Sequence, residues 1–319
     1  MRTLEVIVSK GVFLGYNSLS IAFDPLTLPT GKPAVTLVSH AHQDHYSPSV
    51  LRKLSQKTHI LMSPATRRII DPARRLKNII EVNPGETLEV EGLSIEAFHS
   101  GHIIGSLQFR VVIGDLTVVY TGDFNLERRI VLQPAKPLKG DVVLIDATYG
   151  SPDYVFPERK EIYAKIISIL KEREDDEIVL KARRLGVAQE VTALLSMSTH
   201  IPVIVESEIA KYNEVYEEFG EILGRYAISN TPKQGFPLVA RLSRKFPKKV
   251  FTLSLTGWAV KTGVPLSSHG DFRQLVEYVT ASEPQVVIPV CGFRKEFSEH
   301  VKEMLGITAS SDDKINIHL

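Results

Sequence analysis

Three imidazoles and a carboxylate fall within six residues of this chain, in Ser39-His40-Ala41-His42-Gln43-Asp44-His45. This H-x-H-x-D-H pattern follows directly on the apolar run Val35-Thr36-Leu37-Val38. Imidazole nitrogen and carboxylate oxygen are the ligands of a hydrolytic zinc or a similar divalent ion. Neither a core nor a solvated loop needs them at such density. Alternation on a strand running into a turn lets His40 and His42 share one side and turns Asp44 and His45 toward a second position. One hydrolytic ion needs three protein ligands and an open position. Four candidates here, with more downstream, predict two ions.

The later candidates follow in an informative order. His99-Ser100-Gly101-His102 closes the apolar run 93–98, where glycine permits close approach to a metal centre. Gly122-Asp123 closes 116–120, with Gly122 suited to a tight turn. Asp146 closes 142–145, and His269 stands in Ser267-Ser268-His269-Gly270-Asp271, ahead of a helix. Taken singly, a strand-end aspartate caps a turn and a lone histidine is a satisfied polar residue. Five strand ends that each offer an acid or an imidazole exceed what capping requires.

These residues need elements to hold them. Residues 35–38, 93–98, 116–120, 142–145 and 286–290 read as short β-branched strands bounded by turns. Residues 157–172 carry Ile162, Ile166, Ile169 and Leu170 at helical spacing. Phe297, Val301 and Leu305 repeat that stripe, and Gly306 is a natural stop. The run 171–177 reads as a solvated helix end. The proline-bearing, basic stretch 230–249 reads as an exposed connection. The composition, 43% hydrophobic and 24% charged over 319 residues, is that of a globular chain with a large core. No run approaches the roughly 20 apolar residues of a membrane span. The start, Met1-Arg2-Thr3-Leu4-Glu5, lacks the apolar stretch of a signal peptide, and the single cysteine, Cys291, excludes an internal disulfide. Together they predict a cytoplasmic protein without a membrane partner. A net charge of +1 gives no global attraction to a polyanion. Local basic patches would have to supply it.

The order His40/His42/Asp44/His45, then Gly101-His102, then Gly122-Asp123 resembles the metallo-β-lactamase superfamily, with Asp24 at the place of its early structural aspartate. Asp146-Ala147-Thr148-Tyr149-Gly150 and Ser268-His269-Gly270-Asp271-Phe272 resemble the two extra motifs of the β-CASP nucleases. Leu255-Thr256-Gly257-Trp258 and Arg184-Leu185-Gly186-Val187-Ala188-Gln189-Glu190 fit the same group. Within it, His99-Ser100-Gly101-His102-Ile103-Ile104-Gly105-Ser106 and the short insert are similar to the compact ligase-associated DNA exonucleases. The resemblance implies an α/β fold, the αββα sandwich of the superfamily. Residues 1–150 and 260–319 would form that sandwich, and 151–259 a small inserted β-CASP-like cap. It also implies two divalent ions, zinc foremost and manganese as the alternative. His40, His42 and His102 would hold the first ion, Asp44 and His45 the second, and Asp123 would bridge them. The partner it implies is nucleic acid, DNA ahead of RNA, with a helicase or ligase nearby.

Phosphodiester hydrolysis needs an activated water, charge neutralisation and a proton for the leaving oxygen. Asp44 belongs to the catalytic centre as a ligand, and His269 oriented by Asp146 is the candidate proton donor. The bland alternative has that pair capping a helix or bracing a ligand. Arg67, Arg68, Arg74, Arg75 and Lys77 form one basic cluster, and Arg241, Arg244, Lys245, Lys248 and Lys249 another. Arg183, Arg184 and Lys245 are the candidate substrate contacts. Phe246 and Trp258 either stack bases or fill a core. Three other functions fit parts of the pattern: RNA processing by the same chemistry, a small-molecule hydrolase of the superfamily, and a non-catalytic subunit. The chain departs from its relatives at Cys291-Gly292, where RNA-processing and ligase-associated members place a metal-ligating histidine. Cys291 is either a thiolate ligand of the second ion or a small packed residue.

Overall fold

Alternation in Thr3–Ser9 and Gly11–Tyr16 places Leu4, Val6, Val8, Val12 and Leu14 on one buried face. The computed structural model describes residues 3–200 and 202–318, so Met1 and Arg2 of the N-terminal reading lie outside it. The two strands belong to a seven-stranded sheet. Its order is Lys314–His318, Thr3–Ser9, Gly11–Tyr16, Leu19–Phe23, Val35–Leu37, His59–Met62 and Ile79–Glu81. A second seven-stranded sheet runs Thr308–Ala309, Val286–Pro289, Val142–Ile145, Leu116–Tyr120, Leu107–Ile113, Leu93–His99 and Thr87–Val90. The expected strands are therefore present, three of them with an end shifted by one residue.

The inner faces of the two sheets meet in one core, where Leu4, Leu14 and Phe23 join Ile95, Phe109 and Val118. Helix Pro48–Leu54 covers the first sheet, burying Val50, Leu51 and Leu54 with Val38, Ile60 and Met62. Helices Phe272–Ser282 and Arg294–Leu305 cover the second, with Leu275, Val279, Phe297 and Val301 packed on Val143, Ile145 and Val287. The layers run helix, sheet, sheet, helix, an αββα sandwich.

A third sheet of five parallel strands lies between residues 178 and 254, ordered Tyr226–Ile228, Val203–Val205, Leu238–Arg241, Ile178–Ala182 and Phe251–Ser254. Helix Arg159–Glu172 buries Ile162, Ile166 and Leu170 in the core that covers it. The stretch 230–249 is thus not one exposed connection. Leu238–Arg241 is its central strand, with Leu238, Val239 and Ala240 buried. A four-residue apolar run between proline-rich basic flanks is too short to announce itself by periodicity.

Leu19–Phe23, Val35–Leu37 and His59–Met62 run parallel in the first sheet, and Leu116–Tyr120, Val142–Ile145 and Val286–Pro289 in the second. Asp24, His40, Asp123, Asp146 and Cys291 all come just after the carboxyl ends of these strands, where open parallel sheets present their functional groups. Among the described residues, no helix is long and apolar enough to cross a membrane.

Candidate metal centre

The centre is built outward from Asp24. Its backbone takes φ +46°, a left-handed turn that aspartate tolerates. One carboxylate oxygen accepts the Ser39 N–H at 2.7 Å. The other accepts the Ser39 hydroxyl at 2.5 Å, Tyr120 at 2.8 Å and His45 Nδ1 at 2.8 Å. Gly122 makes the closure between the sheets feasible: at φ +51°, a Cβ there would stand 2.7 Å from Ser39 Cβ.

Each histidine of the cluster has one ring nitrogen spoken for on its outer side. His40 Nδ1 meets Ser39 Oγ at 2.9 Å, and that hydroxyl is itself spent on Asp24. His42 Nε2 reaches the Leu185 carbonyl at 3.0 Å, and His102 Nδ1 the Ser268 carbonyl at 3.1 Å. Each outer nitrogen therefore donates, which leaves the inner nitrogen with its lone pair. The inner nitrogens converge, His42 Nδ1 lying 3.1 Å from His40 Nε2 and 2.9 Å from His102 Nε2. Burial first, then neighbouring positive groups, pushes His42 and His102 well below the ordinary imidazole range and lowers His40 as well.

Asp123 closes the cluster. Its Oδ2 lies 3.4 Å from His40 Nε2, 3.3 Å from His102 Nε2 and 3.6 Å from His269 Nε2, and its Oδ1 lies 3.3 Å from His45 Nε2. Burial works against its charge, but His45, His269, His102 and His40 hold the carboxyl well below its usual range. Yet Oδ2 is buried without a hydrogen-bond partner. An ionised, unpartnered oxygen facing neutral imidazole lone pairs is a donor set that suits a divalent ion. His40, His42, His102 and Asp123 lie within ligating distance of one another, as do Asp24, His40 and His45, and Asp123, Asp146 and His269.

His269 shares the same pattern: Nδ1 lies 2.9 Å from Asp146 Oδ2, with Nε2 turned inward. Burial lowers this imidazole, but Asp123 and Asp146 outweigh it and the net displacement is upward. The second Asp146 oxygen accepts the Thr148 N–H and the Cys291 thiol, both at 2.8 Å. Burial beside Asp146 and Asp123 raises the thiol well above its ordinary range. Cys291 thus stands as a hydrogen-bond donor to Asp146, in none of the ligating groups.

Asp44 is the other departure. It is exposed, pairs with Arg183 at 2.9 Å and joins no ligating group. It sits on the outer side of the turn after His42, where the guanidinium is the nearest charge of opposite sign. Arg183 and Arg184 line a cleft of about 370 Å³ together with His42, Asp44, Tyr46 and Tyr212. Lys245 is exposed and does not line it. Within the basic clusters, Arg67 and Arg74 are paired with Glu81, Arg68 with Glu218, and Arg241 and Arg244 with Glu206, which leaves less free charge than the sequence suggests. Phe246 is half-buried, but Trp258 is 54% exposed and so is no core residue.

Sequence reading passed over a buried charge network beneath the site. Arg129 pairs with Glu190 at 3.1 Å and donates to the carbonyls of Gly101 and His102. Arg159 holds Glu127 at 2.9 Å, Glu190 at 3.3 Å and the Ser267 carbonyl at 2.9 Å. Asn125 donates to the His269 carbonyl at 2.9 Å. The loops that carry His102 and His269 are thereby tied to one another. Of these residues only Glu190 stands out in the sequence, as a charge within the apolar run 187–195; Arg129 and Arg159 lie in charged stretches that read as surface.

The Beta-lactamase superfamily domain model matches residues 18–188. A protein named "Probable DNA ligase" from Opitutus terrae is 30% identical over 84% of this chain and 28% of its own length. "Endoribonuclease ysh1" from Schizosaccharomyces pombe is 25% identical over 65% of this chain and 32% of its own length. The chain therefore spans about a third or less of the length of these two relatives. A crystal structure of a protein of unknown function from Enterococcus faecalis covers all of both chains at a TM-score of 0.70 and 13% identity, a likeness of fold. On the matched domain and the layered sandwich, the chain belongs to the metallo-β-lactamase superfamily.

Proposed function

We propose that this chain is a metal-dependent nuclease that hydrolyses phosphodiester bonds, acting as a DNA exonuclease in repair or end processing. The observation that carries the reading is the His269–Asp146 pair set against the buried cluster, with His269 Nε2 3.6 Å from Asp123. Residues 151–259 act as the cap over this edge, supplying the Leu185 carbonyl to His42 and Arg183 to the cleft.

Two divalent ions, zinc foremost and manganese as the alternative, fit the donor set. One would be held by His40, His42, His102 and Asp123, the other by Asp123 and His45, joined by Asp44 once it leaves its pair with Arg183. Such ions, when bound, lower the pKa of water and neutralise charge on a phosphate. The chain's own residues supply the rest. Asp146 fixes the His269 tautomer and keeps the imidazole basic, so that Nε2 can hold a proton and deliver it to the leaving alkoxide. Arg183 and Arg184 offer the phosphates a charged wall at the cleft.

The relative named as a probable DNA ligase, the longer match of the two, favours DNA and a ligase partner. The relatives named as endoribonucleases support RNA as the second reading. A free thiol at Cys291 fits a reducing cytoplasm. End-labelled single-stranded and duplex DNA and RNA, offered with zinc or manganese, test the proposal. Chelator-sensitive shortening of DNA from one end is the expected result. Cutting of RNA alone would transfer the assignment to RNA processing, and no cutting of any nucleic acid would sink it.

A further inference from the structure

The only tryptophan of the chain, Trp258, is 54% exposed. Its ring packs against Tyr149 at 4.9 Å and Tyr154 at 5.1 Å, with Phe293 at 6.3 Å beyond. Tyr149, itself buried, meets the His269 ring edge-on at 5.9 Å. Trp258 is thus one ring away from the proposed proton donor. The platform is held firmly. Trp258 lies in the short turn Gly257–Ala259, and a Cβ at Gly257 would fall 2.3 Å from the Tyr149 hydroxyl, so only glycine allows the turn to seat there.

We propose that Trp258 is a stacking platform for an unpaired nucleobase next to the phosphate being cut, and that the site therefore selects single-stranded ends. The inference rests on the nuclease reading above. In a blunt duplex every base is paired and only the outer face of the terminal pair is open, whereas an unpaired base can turn onto the indole at little cost. The geometry places the ring in the substrate's path, so Trp258 is a binding and specificity residue.

Being unique, the indole reports on its own contact. The metal-loaded full chain would be titrated with a phosphorothioate oligothymidylate, which is cut slowly, and with a blunt duplex of the same length. Saturable quenching of the emission by the single strand, and not by the duplex, is expected. Trp258→Ala should raise KM on single strands roughly ten- to a hundred-fold, the scale of base–aromatic stacking, with kcat changed far less. Trp258→Phe should recover most of the loss. Emission indifferent to bound single strand, or equal quenching by the duplex, overturns the proposal, and this measurement needs no variant to fold. A parent protein that binds and cuts no nucleic acid overturns the nuclease reading instead. A parent that cuts normally while the Ala variant keeps its KM overturns stacking alone.

Discussion

His269 and Asp146 form a 2.9 Å hydrogen bond from Nδ1 to Oδ2, across 123 residues of chain. The contact turns Nε2 of the same ring toward Asp123, the carboxylate shared by the other histidines. One imidazole thereby joins the later motifs to the earlier ones.

If His269 works as a proton donor, His269→Ala should keep its metal and lose roughly 10²–10⁴-fold in cleavage rate. Asp146→Asn should lose less and bring the alkaline limb of the rate profile to lower pH, because the carboxylate that raises the His269 donor is gone. Elemental analysis run beside the kinetics separates the roles. A variant that sheds metal would make His269 a ligand.

Asp123 faces His40, His102, His45 and His269 at once, so Asp123→Ala should be the most damaging change among the ligands. The parent should carry close to two equivalents of metal per chain. Chelation should lower the melting temperature, because an ion at a thousand times its Kd adds about 4 kcal/mol to the folded state. A melting curve indifferent to strong chelator contradicts this.

The metal-free protein should be most stable near pH 6.5. Burial depresses His42 and His102, so the unfolded chain takes up their protons first as pH falls below 6.5. Their contribution is whole above that value and is lost on acidification. For His45 and His269, burial is outweighed by Asp123 with Asp24 or Asp146, and both are raised. Their contribution is whole below 6.5 and is lost as pH rises through the raised values. Each titrating group tilts stability by about 1.4 kcal/mol per pH unit. Denaturation of chelated protein between about pH 5 and pH 8 should show a maximum; a steadily rising or falling curve speaks against it.

Removing one partner of the buried Arg129–Glu190 pair should cost about 3–5 kcal/mol. Arg129→Met should also loosen metal, since Arg129 holds the His102 carbonyl at 2.9 Å. Urea unfolding and metal content check both parts, and full retention of metal would confine Arg129 to stability.

Arg183→Ala should raise KM on nucleic acid and reduce the salt dependence of binding by about one phosphate contact. Lys245→Ala, outside the cleft, should change neither. Binding measured at several salt concentrations distinguishes the two.

Much of this protein is written locally. The strands at 116–120 and 142–145 follow from short apolar runs buried on both faces, and the stripe Ile162, Ile166 and Leu170 from periodicity, because burial of one face imposes the period of the helix on the residues that line it. The residue types of the centre were legible for a related reason, since few other tasks bring histidine and aspartate together at the ends of successive strands. Partners were not legible. That Asp44 turns out to Arg183, that Cys291 donates to Asp146 and that Trp258 is exposed beside Tyr149 depend on which strands lie side by side. Nor does local pattern reveal Leu238–Arg241 as a central strand, or Arg129, Arg159 and Glu190 as one buried network. A sequence sets which groups can ionise, ligate or pack. Which of them meet is decided only when parallel strands far apart in the chain end at one edge, where burial and charge act over a few ångströms of space.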